Sequence, residues 1–323
     1  MKIRKIVLKF TLLFLMALTS NCAEPNENAT VLPSIVPITP ADTVTPIQVS
    51  VATNTPTPVP TSTVIATLPA DEAGKKLLGL LADNGGCRLP YMWGIMPGKS
   101  TYQEAQAIFA PLSALSALTS FTPEGGAIFP IYTDSDLMLN TVASFSIDPL
   151  SDKQTVNKVR FQAREVKNVD NVAIDVFDSS FFSKQLGYYM LPNILTEYGK
   201  PTTVMLSTMA KLPSSGVPGG FKILLLYPDQ GILVNYTMQM QITGESIMGC
   251  PSNAHVELEL YPSGQADSFF DLLEPSGWTQ IIQNTYKPLD EATALSQEEF
   301  FRIFSQPTDE CILTPASLWP APN

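Results

Sequence analysis

The alternation of hydrophobic and polar residues beyond position 70 predicts a folded domain of helices and strands. Asp71-Glu72-Ala73-Gly74 opens a helical pattern in which Leu77 and Leu81 share an apolar face, and Asn84-Gly85-Gly86 ends it. A second helix is predicted after Thr101, because Thr101 and Glu104 have the spacing of a capping box. Strand-like alternation then covers residues 127–132, 141–147, 156–166 and 172–177.

The pattern restarts after residue 190. A helix is predicted over 191–198, with Pro192 in its first turn and Gly199 as its stop. Asp229-Gln230-Gly231 is typical of a hairpin turn. The predicted strands cover residues 203–208, 221–227, 232–240 and 255–261, and further helices are predicted near 267–273 and over 297–304, the latter with a capping box of Ser296 and Glu299.

These elements favour an α+β fold over a parallel α/β sheet, because the strands follow one another directly instead of alternating with helices. We expect helices packed on an antiparallel sheet, in two successive helix-plus-hairpin units. Residues 71–178 form the first unit, and residues 179–323 form the second unit with its C-terminal helices.

The N-terminus has the pattern of an export signal. Residues 1–21 combine basic residues, the apolar run 10–18 and small polar residues before Cys22. A membrane-spanning helix needs about 20 apolar residues, so this shorter run is typical of a cleaved signal peptide. The order of a leucine, small residues and a cysteine resembles a bacterial lipobox, which implies that Cys22 carries acyl chains and anchors the protein to the membrane. The alternative is an ordinary secretory peptide without lipidation at Cys22.

Residues 22–70 contain the anchor cysteine and a linker rich in Thr and Pro, including Thr55-Pro56-Thr57-Pro58. Proline removes backbone donors and favours extended conformations, so the linker is expected to remain disordered and to act as a semi-rigid stalk. At about 3.1 Å per residue, a fully extended stalk would reach on the order of 150 Å.

Charge argues against nucleic-acid partners. The chain has 30 acidic and 19 basic residues, and four of the basic ones lie in the first nine positions. A phosphate backbone normally attracts a basic surface, which the exported part of this chain lacks.

The segment from Cys87 to Thr101 supports the predicted location outside the cytoplasm. Its residues Cys87-Arg88-Leu89-Pro90-Tyr91-Met92-Trp93-Gly94-Ile95-Met96-Pro97-Gly98 resemble the start of the folded region in uncharacterised bacterial lipoproteins with Thr/Pro stalks. Those proteins carry Cys-x-Leu-Pro-Cys-Trp-Trp-Gly-Ile-x-Pro-Gly, and this chain departs from that pattern at Tyr91 and Met92. The succession of Pro-Gly-Lys-Ser, a helix and hairpins is more remotely similar to outer-membrane-assembly lipoproteins and β-lactamase-inhibitor proteins. That similarity implies a sheet that binds protein.

Residues with catalytic potential are few. His255 is the only histidine, and we expect it to be exposed at the start of a strand, with no Gly-x-Ser-x-Gly elbow to accompany it. Gly94 and Gly98 enclose three residues, whereas a phosphate loop needs four. Paired acidic residues such as Glu298-Glu299 are typical of a solvated helix face. We therefore predict no catalytic residue, no cofactor and no metal.

Cysteine usage predicts one disulfide. With Cys22 acylated, three cysteines remain in an oxidising compartment, and one thiol is left over. We favour a bridge between Cys250 and Cys311. Cys87 paired with either of them is the alternative.

Tyr91 and Trp93 are the candidate binding surface, because flat rings combine apolar area with a polar edge. The sequence thus predicts a lipid-anchored, non-enzymatic binding module outside the cytoplasm, whose partner is an envelope protein, a peptide or a glycan. A carboxylate-based extracytoplasmic hydrolase and a purely structural envelope component are the alternatives.

Overall fold

The computed structural model of the chain describes residues 67–134, 137–148, 150, 154–169, 172–177, 184–208, 220–264, 269–274 and 277–320. The predicted signal peptide, Cys22 and most of the predicted stalk lie outside these residues. All of the described residues belong to one compact unit.

The described helices are α1 (Ala70–Asp83), α2 (Tyr102–Phe109), α3 (Leu191–Tyr198), α4 (Phe269–Leu273), α5 (Trp278–Thr285), α6 (Leu289–Ala292) and α7 (Gln297–Phe304). The described strands are β1 (Ser116–Thr122), β2 (Gly125–Asp134), β3 (Leu137–Ile147), β4 (Val156–Val169), β5 (Val172–Asp175), β6 (Thr203–Thr208), β7 (Gly220–Tyr227), β8 (Ile232–Thr243), β9 (Ser246–Gly249), β10 (His255–Leu260), β11 (Lys287–Pro288) and β12 (Ile312–Pro315).

The strands form a large antiparallel sheet, which confirms the predicted mixture of helices and antiparallel strands. Its order is β1-β2-β3-β4-β10-β8-β7-β6-β11, while β5 pairs with β4, and β9 pairs with both β8 and β12. The pairing of β4 with β10 joins strands from both predicted units. The sheet is therefore continuous across the boundary that the sequence placed after residue 178.

Local signals in the sequence fix the ends of several helices. Thr101 and Glu104 form a complete capping box at the start of α2, and Ser296 and Glu299 form another at the start of α7. Each box satisfies backbone N–H groups that the first turn of a helix leaves unpaired. Gly199 ends α3 with φ of 76°, in the positive region that glycine tolerates best. These three predicted helix ends are confirmed.

The largest apolar core lies on one face of the sheet, which we call the apolar face. Helix residues such as Leu77 and Phe109 share this core with the strand residues Phe161 and Leu258. The reverse face carries a smaller core, in which Leu224 and Leu233 contact residues of α4 and α5. Because alternate residues of a strand point to opposite faces, the same strands supply both cores.

Candidate functional site on the polar face of the sheet

Strands β3 and β4 alternate between buried and accessible residues over positions 138–147 and 158–165. Val159, Phe161 and Ala163 are buried on the apolar face, and the residues between them are accessible on the reverse face. Such alternation is typical of an antiparallel sheet with one side in the core and the other toward solvent. The accessible polar residues, which we call the polar face, are Asn140, Ser144, Ser146, Lys158, Arg160, Gln162 and Arg164.

Arg160 is the centre of this face, and its side chain is 44% exposed. Its Nε donates to Oε1 of Glu257 at 2.9 Å and lies 3.8 Å from Oε1 of Glu259. Glu259 is 3% exposed and also accepts a hydrogen bond from the hydroxyl of Tyr261. Two carboxylates on alternate positions of β10 therefore meet at one guanidinium group, which compensates their burial.

The cluster continues beneath α5. Asn235 on β8 lies opposite Glu257 and donates from Nδ2 to Oε2 of that carboxylate at 3.3 Å. The hydroxyl of Tyr286, at the end of α5, donates to Oδ1 of Asn235 at 3.0 Å. Burial raises the pKa of Tyr286, so its phenol stays neutral and serves as a donor. We call Asn235, Glu257 and Tyr286, together with Lys222 on the same face of β7, the inner cluster.

A second ionic contact lies at the other end of β4. Arg164 Nη1 is 3.6 Å from Oδ1 of Asp175 on β5. His255 is nearby, and it is 7% exposed, so the predicted exposure of this histidine is wrong. Its Nε2 lies 2.9 Å from the carbonyl oxygen of Val176, and its ring stacks on Phe177 at 4.3 Å. Burial lowers the pKa of His255, while the contact with Val176 acts in the opposite direction.

The predicted aromatic surface is not borne out for Trp93, which is 4% exposed. Its Nε1 donates to the hydroxyl of Tyr189 at 3.0 Å, and that hydroxyl donates to Oδ1 of Asn84. The Trp93 ring also makes edge contacts with Phe109 and Phe161. The segment from Cys87 to Gly98 therefore inserts Trp93 into the core, and only the half-buried Tyr91 of the predicted pair reaches the surface.

The structure joins Cys250 and Cys311, the pairing favoured from the sequence, with an S–S distance of 2.06 Å. Cys87 is also disulfide-bonded, and none of the described cysteines is a free thiol. The leftover thiol is therefore a wrong prediction, and so is the alternative pairing of Cys87 with Cys250 or Cys311.

Two clefts lie away from the polar face. One, of about 230 Å³, is beside the disulfide and is mainly apolar, with Met190 and Phe304 in its walls and Asp309 at its edge. The other, of about 410 Å³, is shallow and includes Glu291 and Leu313. Neither contains a pair of acidic residues. Across the residues that the structure describes, no group of three or more His, Cys, Asp or Glu side chains could hold a metal ion.

Sequence reasoning missed the residues of the polar face and the inner cluster. The available signal was the alternation Lys158-x-Arg160-x-Gln162-x-Arg164 in a predicted strand, matched by Glu257 and Glu259 in another. Arg160 and Glu257 are 97 residues apart in the chain, so only the strand order brings them together.

Comparisons with known proteins leave the family open. No family model matches the chain, and no curated protein matches it. A crystal structure of a DUF4309 family protein from Bacillus subtilis is similar at 13% sequence identity and a TM-score of 0.23, covering 59% of this chain and 97% of that one. A likeness at that score carries no argument about fold or function. Among the described helices, none has both the length and the apolar character required to cross a membrane.

Proposed function

We propose that this protein is a lipid-anchored module outside the cytoplasm that binds an envelope protein, peptide or polymer through the polar face of its sheet. The observation that carries the proposal is the polar face of β3 and β4. Ser144, Arg160 and Gln162 are accessible to solvent there, whereas the opposite, apolar face of the same strands is fully packed. Side chains there offer both donors and acceptors, and the rigid sheet keeps them in fixed positions.

The proposed anchor is Cys22, and the Thr/Pro-rich linker after it is the proposed disordered stalk that holds the folded region away from the membrane. Acyl chains at the N-terminus would make the membrane itself the first partner. For the folded region we propose two successive helix-plus-hairpin units. Their support is the repeated order of α2 before β2–β4 and of α3 before β6–β8, with strands of both in one sheet.

The binding role is tested by adding bulk and charge to the polar face. We expect Gln162→Arg to reduce capture of envelope components by the full-length protein, because the longer side chain would obstruct the surface around Arg160. Ala82→Arg is the matched control, since Ala82 is exposed on α1, outside the polar face. The wild type and Ala82→Arg should capture the same envelope components in equal amounts. Equal capture by all three proteins would refute the assignment to this face.

The anchor is tested separately by mass spectrometry of the mature N-terminus. Acylated Cys22 as the first residue, with partition into detergent, is the expected result. A sulfur cannot hold a thioether and a disulfide at the same time, so the peptide containing Cys87 should be followed in the same experiment. A disulfide between Cys22 and Cys87, or an N-terminus upstream of Cys22, would contradict the anchor.

The alternative function is a carboxylate-based hydrolase outside the cytoplasm. Glu257 and Glu259 are the acidic pair that favours it, because both face the same side of β10. However, both carboxylates already accept hydrogen bonds, Glu257 from Arg160 and Glu259 from Tyr261, and such occupied groups are typical of structural ion clusters. Release of sugars from cell-wall glycan by the wild type, lost in Glu257→Gln, would favour the hydrolase over the binding module.

A further inference from the structure

A lysine, an asparagine and a glutamate occupy three neighbouring strands on one face of the sheet. Asn235 on β8 lies opposite Glu257 on β10 and opposite Leu224 on β7. Lys222 is two residues from Leu224 and therefore points to the same side. It lies opposite Thr237, one diagonal step from Asn235. Long side chains reach across such a diagonal, so Lys222 and Asn235 are neighbours on this face of the sheet.

The amide of Asn235 is held at both of its polar atoms. Its Oδ1 accepts from the hydroxyl of Tyr286 at 3.0 Å, and its Nδ2 donates to Oε2 of Glu257 at 3.3 Å. Asn235 is 3% exposed, so bulk water does not compete for these contacts. A donor at the carbonyl oxygen polarises the carbon of an amide toward nucleophilic attack. A carboxyl group beside the nitrogen, once it has taken up a proton, can supply the proton that the leaving group needs.

Lys222 has the properties of a nucleophile in this setting. Burial lowers the pKa of Lys222, while the negative charge of Glu257 acts in the opposite direction. The charge of Glu257 attracts the amine across β8, where Asn235 lies between the two residues. Arg160 holds the other oxygen of Glu257, with its Nε 2.9 Å from Oε1. Oε2 therefore remains directed toward Asn235.

We propose that Lys222 and Asn235 form an intramolecular isopeptide bond, with Glu257 carrying the protons. The Lys222 ammonium gives a proton to Glu257, and the neutral Nζ attacks Cγ of Asn235. The oxygen of the resulting tetrahedral carbon stays bonded to the Tyr286 hydroxyl. Glu257 transfers its proton to Nδ2, the Cγ–Nδ2 bond breaks, and an Nζ–Cγ amide remains. A second proton from Nζ leaves with the departing group as ammonium, so Glu257 ends as a carboxylate and no redox partner is needed.

Such a bond would join β7 to β8 covalently near the middle of the sheet. The hairpin between them could then not separate strand by strand, even if the rest of the sheet opened. A covalent link between these strands would help a protein that is anchored at one end to resist a force applied at the other. The cross-link would exist whether or not the polar face binds a partner.

Trypsin digestion of the native full chain followed by mass spectrometry tests the proposal. A lysine in amide linkage is not cleaved, so the wild type should show no cleavage after Lys222. The fragment spanning Lys222 and Asn235 should be one ammonia lighter than its sequence requires. In Asn235→Ala and Glu257→Gln, cleavage after Lys222 should return and the fragment masses should be those of the sequence. Cleavage after Lys222 in the wild type at full mass would overturn the proposal.

Two controls distinguish this bond from other causes of ammonia loss or missed cleavage. Asn84-Gly85 could also lose ammonia by closing on its own backbone, but that loss would map to a different peptide and persist in Asn235→Ala. Lys158→Arg changes a lysine of the polar face outside the inner cluster and should leave the Lys222 fragment as in the wild type. A variant that fails to fold does not affect the result, because the wild-type fragment decides it. An ammonia loss located only at Asn84 would refute the cross-link.

Discussion

The apolar and polar faces of the sheet both bury polar atoms, but they do so in different ways. On the apolar face, the hydroxyl of Tyr189 connects Trp93 to Asn84 inside a core of aromatic rings. On the reverse face, Arg160 and Glu257 form a charged pair that reaches solvent. Neutral hydrogen bonds inside a dense core specify one arrangement, whereas charged groups at its edge remain available for chemistry. The comparison supports a stabilising role for the apolar face and is consistent with the binding role proposed for the polar face.

The largest expected effect comes from removing a ring on the apolar face. Phe161 is fully buried and contacts the rings of Trp93 and Tyr189 at centroid distances of 5.5 and 5.0 Å. Phe161→Ala should lower the free energy of unfolding by about 3–5 kcal/mol, measured by urea denaturation. Its neighbour on the polar face provides the control, since Gln162→Ala should change that energy by less than about 0.5 kcal/mol. Equal losses in both variants would mean that the two faces do not differ as described.

An intermediate effect is expected from the buried hydroxyl of Tyr189. Tyr189→Phe leaves the ring in place but removes the partner of Trp93 Nε1, which then remains buried without its hydrogen bond. The free energy of unfolding should fall by about 1–3 kcal/mol. Tyr91→Phe, at the half-buried edge of the same motif, should have a smaller effect. If the order of the two variants is reversed, the Tyr189 network does not stabilise the core as inferred.

The smallest expected effect concerns pH and His255, which is buried near the end of the polar face. Burial lowers the pKa of His255 in the folded state below its ordinary value, so the unfolded chain takes up the proton more readily. Stability from this residue should therefore be present above the ordinary histidine pKa of about 6.5 and decline as the pH falls toward the folded pKa. His255→Gln should flatten the dependence of the melting temperature on pH between about 5 and 7. An unchanged slope in that variant would show that other groups cause the dependence.

Local features of this fold could be predicted from the sequence. The capping boxes of α2 and α7 depend on residues three positions apart, and the hairpin between β7 and β8 depends on Gly231, which has φ of 68°. Strand β1 was missed because its Ser and Thr residues are typical of a loop, and only its pairing with β2 makes it a strand. Helix α5 was missed as well, since it follows Gly277 without a side-chain cap.

The candidate site could not be predicted because its residues are distant in the chain. His255 is buried against Val176, which lies 79 positions away, and Trp93 is buried through Tyr189, which lies 96 positions away. A strand pattern states that alternate residues share a face, but it does not state which strands become neighbours. The wrong surface assignment of Trp93 and the omission of Arg160 both follow from this missing strand order.

Chemical labelling of arginine in intact envelopes tests the central claim most directly. If the polar face binds an envelope partner, Arg160 and Arg164, whose side chains are 44% and 42% exposed, should react more slowly in envelopes than in the purified full chain. Arg88, which is 65% exposed and lies outside the polar face, should react at the same rate in both samples. Equal labelling of Arg160 and Arg164 in both samples would contradict the assignment of function to the polar face.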